Sequence, residues 1–501
     1  MGLPPYFDKA ALSAASLLAN FSADRFKQTL EDHVVAIELG KGSACFEARV
    51  ASELTVNLLA RLYPRLIIRS RGRRDAHADS LCRLATQINP SVTLETDRAK
   101  ATLSLGFGQL KSKGGLVSVG SDGWIARISS RSSLGFSQSQ NPFGAAAAAC
   151  VGVANVFRAT FADQLTRPQL DTETALSTLD FTPATSVSRN PTIADTKIAA
   201  TSLVGIGAIG NATVWALARS SVSGELHVFD PEAVELHNGQ RYVLVTPLDR
   251  QKSKVSLASV ALSESSLLAV PHADRWNAVE SESARELVAA AVDSAQARRE
   301  IQATLPKAVI NAWTQPLDVG VSWHEFLDGP CMCCLYMPEE KSRNEDSIIA
   351  EAIGLGGQEM LVRVLLRNNS PVGTDLIKQI SAAKGVPIDD LLAFQDRPLR
   401  TFYQEVVCGG ALLANTGSVP VDVPAAFQSA FAGVLLGASI VSHAAKLGVP
   451  ARKKAVFNLL APLGSEFLVP LAKHPSGRCI CQDADFRLAY ARLHANGLTA
   501  G

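Results

Sequence analysis

The segment that most restricts how this chain can fold runs from Lys197 to Asp230. Lys197–Val204 is an apolar run of strand length. It enters Gly205-Ile206-Gly207-Ala208-Ile209-Gly210, continues into a helical stretch, Asn211–Arg219, and is followed by a second strand, Glu225–Phe229, that ends at Asp230. Strand, glycine turn, helix and strand in this order form a Rossmann-type unit. The glycines let the backbone turn tightly and approach a phosphate, and the helix that follows presents free N–H groups to the anion. Asp230 stands where it can accept hydrogen bonds from ribose hydroxyls. On these residues alone a dinucleotide dehydrogenase, an ATP-using enzyme and a turn without a ligand all remain open.

A weaker copy precedes this unit. His33–Leu39 reads as a strand, Gly40-Lys41-Gly42 as a degenerate glycine turn, Ala51–Tyr63 as a helix and Arg65–Arg69 as a second strand. Pro142-Phe143-Gly144 then opens an alanine-rich helix, Ala145–Leu165, and Pro424 opens a similar Ala/Gly-rich helix, Ala425–Lys446. Small residues permit close packing, so these two read as equivalent interface helices of an internal repeat. The expected fold is α/β, with two tandem Rossmann-like halves of which only the second keeps the full fingerprint. Thr166–Ala194, rich in Thr, Ser and Pro, reads as the linker. Residues from about Pro338 to Glu405 read as a small helical insertion, which gives expected boundaries of 1–190, 191–337 with 408–501, and 338–407.

A chain of 501 residues with 47% apolar residues and a formal net charge of +1 can bury sizeable cores and carries no strong charge bias. That argues against a nucleic-acid-binding stripe or a polybasic membrane patch. Met1-Gly2-Leu3-Pro4-Pro5-Tyr6 lacks the basic and apolar regions of a secretory signal, and the longest apolar run, Ala145–Phe157, is short for a membrane span. A cytoplasmic protein with reduced cysteines is expected.

The residues after Asp230 narrow the chemistry. They read Asp230-Pro231-Glu232-Ala233-Val234-Glu235-Leu236-His237-Asn238-Gly239-Gln240-Arg241, with Gln251-Lys252-Ser253-Lys254-Val255 shortly after. A dehydrogenase needs no Asn, Arg and Lys here. A site that joins an anionic carboxylate to a triphosphate needs cations to offset repulsion and the charge on the leaving pyrophosphate. Arg241 and Lys254 are the candidates, with Asn238 as a neutral donor. A further element reads Val292-Asp293-Ser294-Ala295-Gln296-Ala297-Arg298.

Together these elements resemble the superfamily of ThiF, MoeB and ubiquitin-activating enzymes. That family's pattern is a G-x-G-x-x-G loop, D-x-D-x-V-x-x-x-N-x-x-R-Q, a lysine, and D-N-x-x-x-R, whose Asp binds magnesium. The resemblance is close over about residues 197–335 and looser over 408–481. It implies ATP at Gly205, Gly207, Gly210, Asp230, Asn238, Arg241 and Lys254, and Mg2+ at Asp293. Three positions depart from it: Glu232 for Asp, Tyr242 for Gln and Ser294 for Asn. Without the resemblance, Asp293 also reads as a helix cap and the cations as solvated surface.

Cys331-Met332-Cys333-Cys334 contains a C-x-x-C pair and Cys479-Ile480-Cys481 a C-x-C pair. Thiolates at such spacing suit one tetrahedral Zn2+ held by Cys331, Cys334, Cys479 and Cys481, with Cys333 an alternative ligand; buried reduced thiols are the plain reading. Related activating enzymes hold zinc with two separated C-x-x-C pairs. Cys408, in Val407-Cys408-Gly409-Gly410, stands apart after the helical insertion. It reads either as a transfer cysteine or as a small buried residue. Cys45, Cys82 and Cys150 read as core.

The resemblance implies an enzyme that adenylates the C-terminal glycine of a ubiquitin-like protein and takes it as a thioester on Cys408 for a conjugating enzyme. The fused, degenerate first half resembles the inactive adenylation domain of ubiquitin-activating enzymes, and the size and insertion favour a conjugation-type activator similar to those of bacterial ubiquitin-like conjugation operons, which are often antiviral. A sulfur-carrier adenylyltransferase and a non-catalytic nucleotide-binding scaffold are the alternatives. Dimerisation stays open, and so does an arginine finger, for which Arg25 is the candidate.

Overall fold

The structure, a computed structural model, describes residues 3–70, 75–110, 116–185, 188–276, 286–338, 345–403, 406, 423–448 and 452–495. Among the described residues, fifteen strands form two sheets. The first contains β1 (Val35–Leu39), β2 (Arg65–Ser70), β3 (Thr93–Leu94), β4 (Leu103–Phe107), β5 (Leu116–Asp122), β6 (Ile125–Ser129) and β7 (Glu173–Ser177), in the order β3-β2-β1-β4-β5-β6-β7. The second contains β8 (Lys197–Val204), β9 (Ser223–Phe229), β10 (Leu267–His272), β11 (Leu287–Ala290), β12 (Ala308–Gln315), β13 (Asp318–Glu325), β14 (Lys453–Phe457) and β15 (Leu468–Pro470), in the order β10-β9-β8-β11-β12-β13-β14-β15.

The two orders are the same for their first seven positions. In each sheet the first five strands pair parallel and the rest antiparallel. Each half also inserts one long helix between its sixth and seventh strands, Phe143–Thr160 in the first and Ala426–Ala444 in the second. The internal repeat is therefore a repeat of topology: two tandem Rossmann-like halves. Parallel strands need helical crossovers that cover the sheet faces, and β1, β11 and the Thr201–Val204 end of β8 are accordingly almost wholly buried.

The halves meet through helices rich in small residues. Phe46–Ala60, Phe143–Thr160, Ala208–Leu217 and Ala426–Ala444 pack together. Within the second half, a Cβ at Gly433 would sit 2.4 Å from the Ile209 carbonyl oxygen, and Thr213 Oγ1 donates to the Gly433 carbonyl at 3.0 Å. At such an approach any larger side chain would force the two helices apart. Phe143–Thr160 and Ala426–Ala444 are long and apolar enough to cross a membrane by length and composition, longer than the expected Ala145–Phe157 run; 94% and 89% of their windows are buried inside the protein.

Two expectations are corrected. The segment Thr166–Ala194 contains β7, which pairs with β6, so it completes the first sheet rather than merely linking the halves. The first-half helix begins at Phe46, not Ala51.

A separate helical unit comprises residues 7–16 and 338–423. Its helices Glu345–Ala352, Glu359–Arg367, Thr374–Lys384, Ile388–Leu392 and Leu399–Phe402 enclose their own core, including Ile353, Val362, Ile377, Ile380 and Phe402. Thr374–Lys384 stops at Gly385, which takes the left-handed conformation at φ 65° that closes many helices.

Candidate active site

The glycine turn lies between β8 and helix Ala208–Leu217. Gly205 has φ 91°, and a Cβ at Gly210 would fall 2.0 Å from the Gly205 carbonyl oxygen, so both positions require glycine. Gly207 is different. The nearest atom to a Cβ there is Tyr242 Oη at 3.6 Å, and Gly207 caps the helix without any side-chain acceptor for the first N–H groups. That leaves the helix N-terminus available to an anion.

The equivalent turn of the first half is closed. Lys41 and Gln109 exchange both backbone hydrogen bonds, at 3.1 and 2.8 Å, and a Cβ at Gly40 would meet the Gln109 carbonyl oxygen at 2.4 Å. The carboxylate of Glu47, in the first turn of the helix that follows, is fully buried. It accepts from Ser121 Oγ, the Gly123 N–H and the Ser137 N–H and Oγ, which uses it internally.

Asp230 directly follows β9 and is buried. One carboxylate oxygen accepts the Ile206 N–H at 2.8 Å and the other the Glu232 N–H at 2.9 Å, which joins the glycine turn to the loop after β9. Burial pushes its pKa up, against the opposing effect of Lys254. Lys254 opens helix Lys254–Leu262 and is itself buried. The backbone carries it there: Val234 N donates to Lys252 O, Gln251 N to Val234 O and Lys254 N to Glu232 O. Its Nζ lies 2.5 Å from Glu232 Oε2 and 3.8 Å from Asp230 Oδ1. Burial opposes its charge, but Tyr242, Asp230 and Glu232 outweigh that and hold its pKa above the ordinary value. Lys254 is thus a fixed ammonium at the mouth of the glycine turn, with Tyr242 beneath it at 5.5 Å from the ring centre.

Arg241 is half-buried and makes no ion pair among the described residues. Burial lowers its pKa, while Tyr242 and Asp293 favour its charge. Asp293 is exposed on the loop between β11 and helix Ala295–Ala303, and Ser294 takes the cap by accepting the Ala297 N–H. Asn238 uses its side-chain oxygen to accept the Glu235 N–H, closing a capping box in the short turn Leu236–Gln240. Arg298 is buried, donates to Asn311 Oδ1 at 2.9 Å and stacks on Tyr336. Arg25, the arginine-finger candidate, is paired with Asp163. The glycine turn, Asp230 and Lys254 thus share one mouth at the carboxyl ends of β8 and β9, and Asp293 is close enough to Arg241 to favour its charge.

The cysteines form a second constellation. The Sγ atoms of Cys331, Cys334, Cys479 and Cys481 all lie within 4.8 Å of one another, and all four residues are buried. The contacts Cys331–Cys479, Cys334–Cys479 and Cys334–Cys481 measure 3.4, 3.4 and 3.5 Å. Four thiolates about 2.3 Å from a tetrahedral zinc ion lie about 3.8 Å apart, so this donor set fits a metal ion such as zinc. Cys333 is not one of this set, and its Sγ contacts the Arg299 carbonyl at 3.8 Å. Cys150 is core as expected; Cys45, at the start of helix Phe46–Ala60, and Cys82 are only half-buried. Cys408 lies outside the described residues.

The sequence reading passed over Asn57 and Arg61. Arg61 is 1% exposed, and its guanidinium donates to the Gly239 and Val245 carbonyls of the segment that carries Arg241. Its only sequence signal is an Asn and an Arg four residues apart at the end of the helix.

The decisive comparison is with family models. Residues 191–452, more than half the chain, match the model of the ThiF family. The chain belongs to the ThiF family. This ThiF-family protein is an adenylyltransferase-like activating enzyme whose glycine turn, Asp230, Arg241, Lys254 and Asp293 all fall in the matched region. Residues 39–162 match the model of prokaryotic E2 family C, so the first half carries an E2-related region. Among curated proteins, an uncharacterized protein y4jF of Sinorhizobium fredii is 40% identical, with 99% of this chain and 98% of that protein aligned. Among solved structures, E. coli MccB with MccA-N7isoASN is 13% identical, covering 57% of this chain and 67% of that one at a TM-score of 0.35. E. coli MccB with ATP is 14% identical with the same coverage and a TM-score of 0.34.

Proposed function

We propose that this enzyme uses ATP to adenylate the C-terminal glycine of a ubiquitin-like protein and passes the product to a conjugating enzyme. The observation that carries the reading is the setting of Lys254: a buried ammonium at the mouth of an open glycine turn, beside Asp230, in a region of ThiF type. The attacking glycine carboxylate is ionised at neutral pH and needs no general base. Its oxygen bonds to the α-phosphorus of ATP, the bond to the bridging oxygen breaks, and pyrophosphate leaves. Lys254 and Arg241 offset the charge on the triphosphate and on the departing pyrophosphate. Gly207 and the helix behind it hold phosphate by backbone N–H groups, and Asp230 holds the ribose. Asn238, whose oxygen serves the turn, has its amide N–H groups to offer. Mg2+ at Asp293 would neutralise phosphate charge.

The first half would serve as an inactive partner, since its own turn is closed by Gln109. Its E2-related match supports a conjugation role over sulfur-carrier activation. In the second step the Cys408 thiolate attacks the acyl carbon of the adenylate, a carbon–sulfur bond forms, and AMP leaves as an anion. Zinc at the cysteine cluster would be structural, and the cytoplasm, where thiols stay reduced, suits both roles.

The test is ATP–pyrophosphate exchange with a ubiquitin-fold protein ending in Gly-Gly as the probe. Exchange that requires the terminal glycine is expected. Cys408→Ala should retain exchange and lose a thiol-sensitive covalent adduct. If no variant forms a thioester while exchange persists, sulfur-carrier activation takes over. Tight NAD binding without ATP binding would refute adenylation.

A further inference from the structure

The loop that carries Arg241 is held from both halves of the molecule. From its own half, Asn211 on helix Ala208–Leu217 accepts the Leu244 N–H at 2.7 Å. Tyr242 and Val245 also pack in their own half against Ala208 and Leu257, and a second set of hydrogen bonds comes from the first half. Asn57 Nδ2 donates to the Val243 carbonyl at 2.9 Å; Arg61 Nη1 donates to the Gly239 carbonyl and Nη2 to the Val245 carbonyl at 3.0 Å. Arg61 Nε donates to Asn57 Oδ1 at 3.0 Å, which locks the two side chains into one unit. They are four residues apart at the end of helix Phe46–Ala60, so they stand on the same face, one turn apart. The ring of Tyr6 closes the other side, where a Cβ on Gly239 would lie 2.6 Å from Tyr6 Cδ1.

This grip is costly in a way that a plain packing contact is not. Arg61 is 1% exposed and has no carboxylate partner among the described residues. Its charge is met by neutral carbonyls, by Asn57 and by Tyr6, and burial pulls its pKa below the usual guanidinium value, with Tyr6 working the other way. A buried cation without a counter-ion is an expensive way to join two surfaces. A fork that reaches two carbonyls on either side of Arg241 does what an apolar contact cannot, which is to fix the backbone register of the segment between them.

We infer that Arg61, together with Asn57, is the positioning residue through which the first half sets Arg241 in the second. The inference rests on the adenylation reading for its catalytic consequence. It explains why a half whose own glycine turn is closed is retained in the chain: its helix end supplies the other wall of the catalytic loop. Arg61 acts through the backbone of residues 239–245.

The experiment compares wild type with Arg61→Met, Arg61→Lys and Asn57→Leu in the full chain, using pyrophosphate exchange with the Gly-Gly-terminated ubiquitin-fold probe. Misplacement by about 1 Å costs about 100-fold, so kcat for Arg61→Met should fall on that scale while KM for ATP changes little. Arg61→Lys, which keeps the charge but not the fork, should recover part of the loss. Combined with Arg241→Ala, Arg61→Met should add no further loss, since the residue it positions is gone. Hydrogen exchange of residues 236–245 is read in the same variants and should accelerate there and not in β8. Wild-type kcat in a folded Arg61→Met enzyme, losses that multiply in the double variant, or acceleration spread evenly across the second half would each overturn the inference. If Arg61→Met does not fold, Asn57→Leu and Arg61→Lys decide by the same readings. If the wild type shows no exchange with the probe, adenylation of this partner class fails, and the loop-specific hydrogen exchange alone decides the clamp.

Discussion

The Sγ atoms of Cys331 and Cys479 lie 3.4 Å apart although 148 residues separate them in the chain. Closing so long a loop by a shared metal ion restrains the unfolded chain strongly, and structural zinc contributes folding free energy outright. Purified protein should contain one zinc ion per chain. Cys479→Ser should lose it and lose stability on the order of several kcal/mol, before any change in ATP affinity. Cys333→Ser should keep the metal, because its thiol faces the Arg299 carbonyl. Metal analysis with denaturant unfolding checks both, and a folded, active, metal-free wild type would remove zinc from the account.

Lys254 and Arg241 should weigh on the transition state more than on binding. Lys254→Met leaves Asp230 buried without its nearby cation and removes the charge that, on the proposed mechanism, would meet the pyrophosphate. Each of Lys254→Met and Arg241→Ala should cost roughly 3–4 kcal/mol of transition-state stabilisation, about 100- to 1,000-fold in kcat. Asp293→Ala should abolish exchange at any magnesium concentration. Steady-state exchange kinetics over ATP and magnesium test all three, and a pure KM effect would assign these residues to ground-state binding.

Gly210→Ala tests the turn itself. The added methyl would sit 2.0 Å from the Gly205 carbonyl oxygen, so either the turn or the start of helix Ala208–Leu217 must move. Loss of nucleotide affinity is expected with a stability cost of roughly 1–3 kcal/mol. Gly207→Ala, with only Tyr242 Oη near, should fold normally and hinder only the approach of phosphate. Calorimetric titration with MgATP, beside thermal melts, separates the two.

Much of this was readable in the residues because it is local or periodic. The glycine turn, Asp230 and the lysine after it follow one another within a short span, and the two cysteine pairs carry their own spacing. What escaped is set by contacts between distant segments. Arg61 looks like a basic residue at an exposed helix end, yet the second half's loop folds over it. Strand β7 is hidden by a Thr- and Ser-rich composition that suits an edge strand as well as a linker. Residues 7–16 group with the helical unit far along the chain, which no local pattern could announce. Asn238 has the family's residue type, but its oxygen is taken by the Glu235 N–H.

His324 gives a dependence on pH that is separate from catalysis. It is buried on β13, with one ring nitrogen 2.8 Å from Ser322 Oγ and the other 3.0 Å from the carbonyl of Pro330, which precedes Cys331 of the cysteine cluster. Burial lowers its pKa to about 4, from 6.5 when exposed. Between those values the unfolded chain binds a proton that the native protein does not, so acidification favours unfolding over that interval. The contribution is complete above pH 6.5, falls as the pH drops from there, and is fully spent below pH 4. A shift of one pKa unit is worth about 1.4 kcal/mol, so acidification to pH 5 should remove roughly 2 kcal/mol through this residue alone. His324→Gln keeps hydrogen-bonding capacity without a titrating group. Urea unfolding at pH 7 and pH 5 should therefore show a smaller loss in the variant than in wild type. Equal losses in the two proteins would place the acid sensitivity elsewhere, in the carboxylates or in the cysteine cluster.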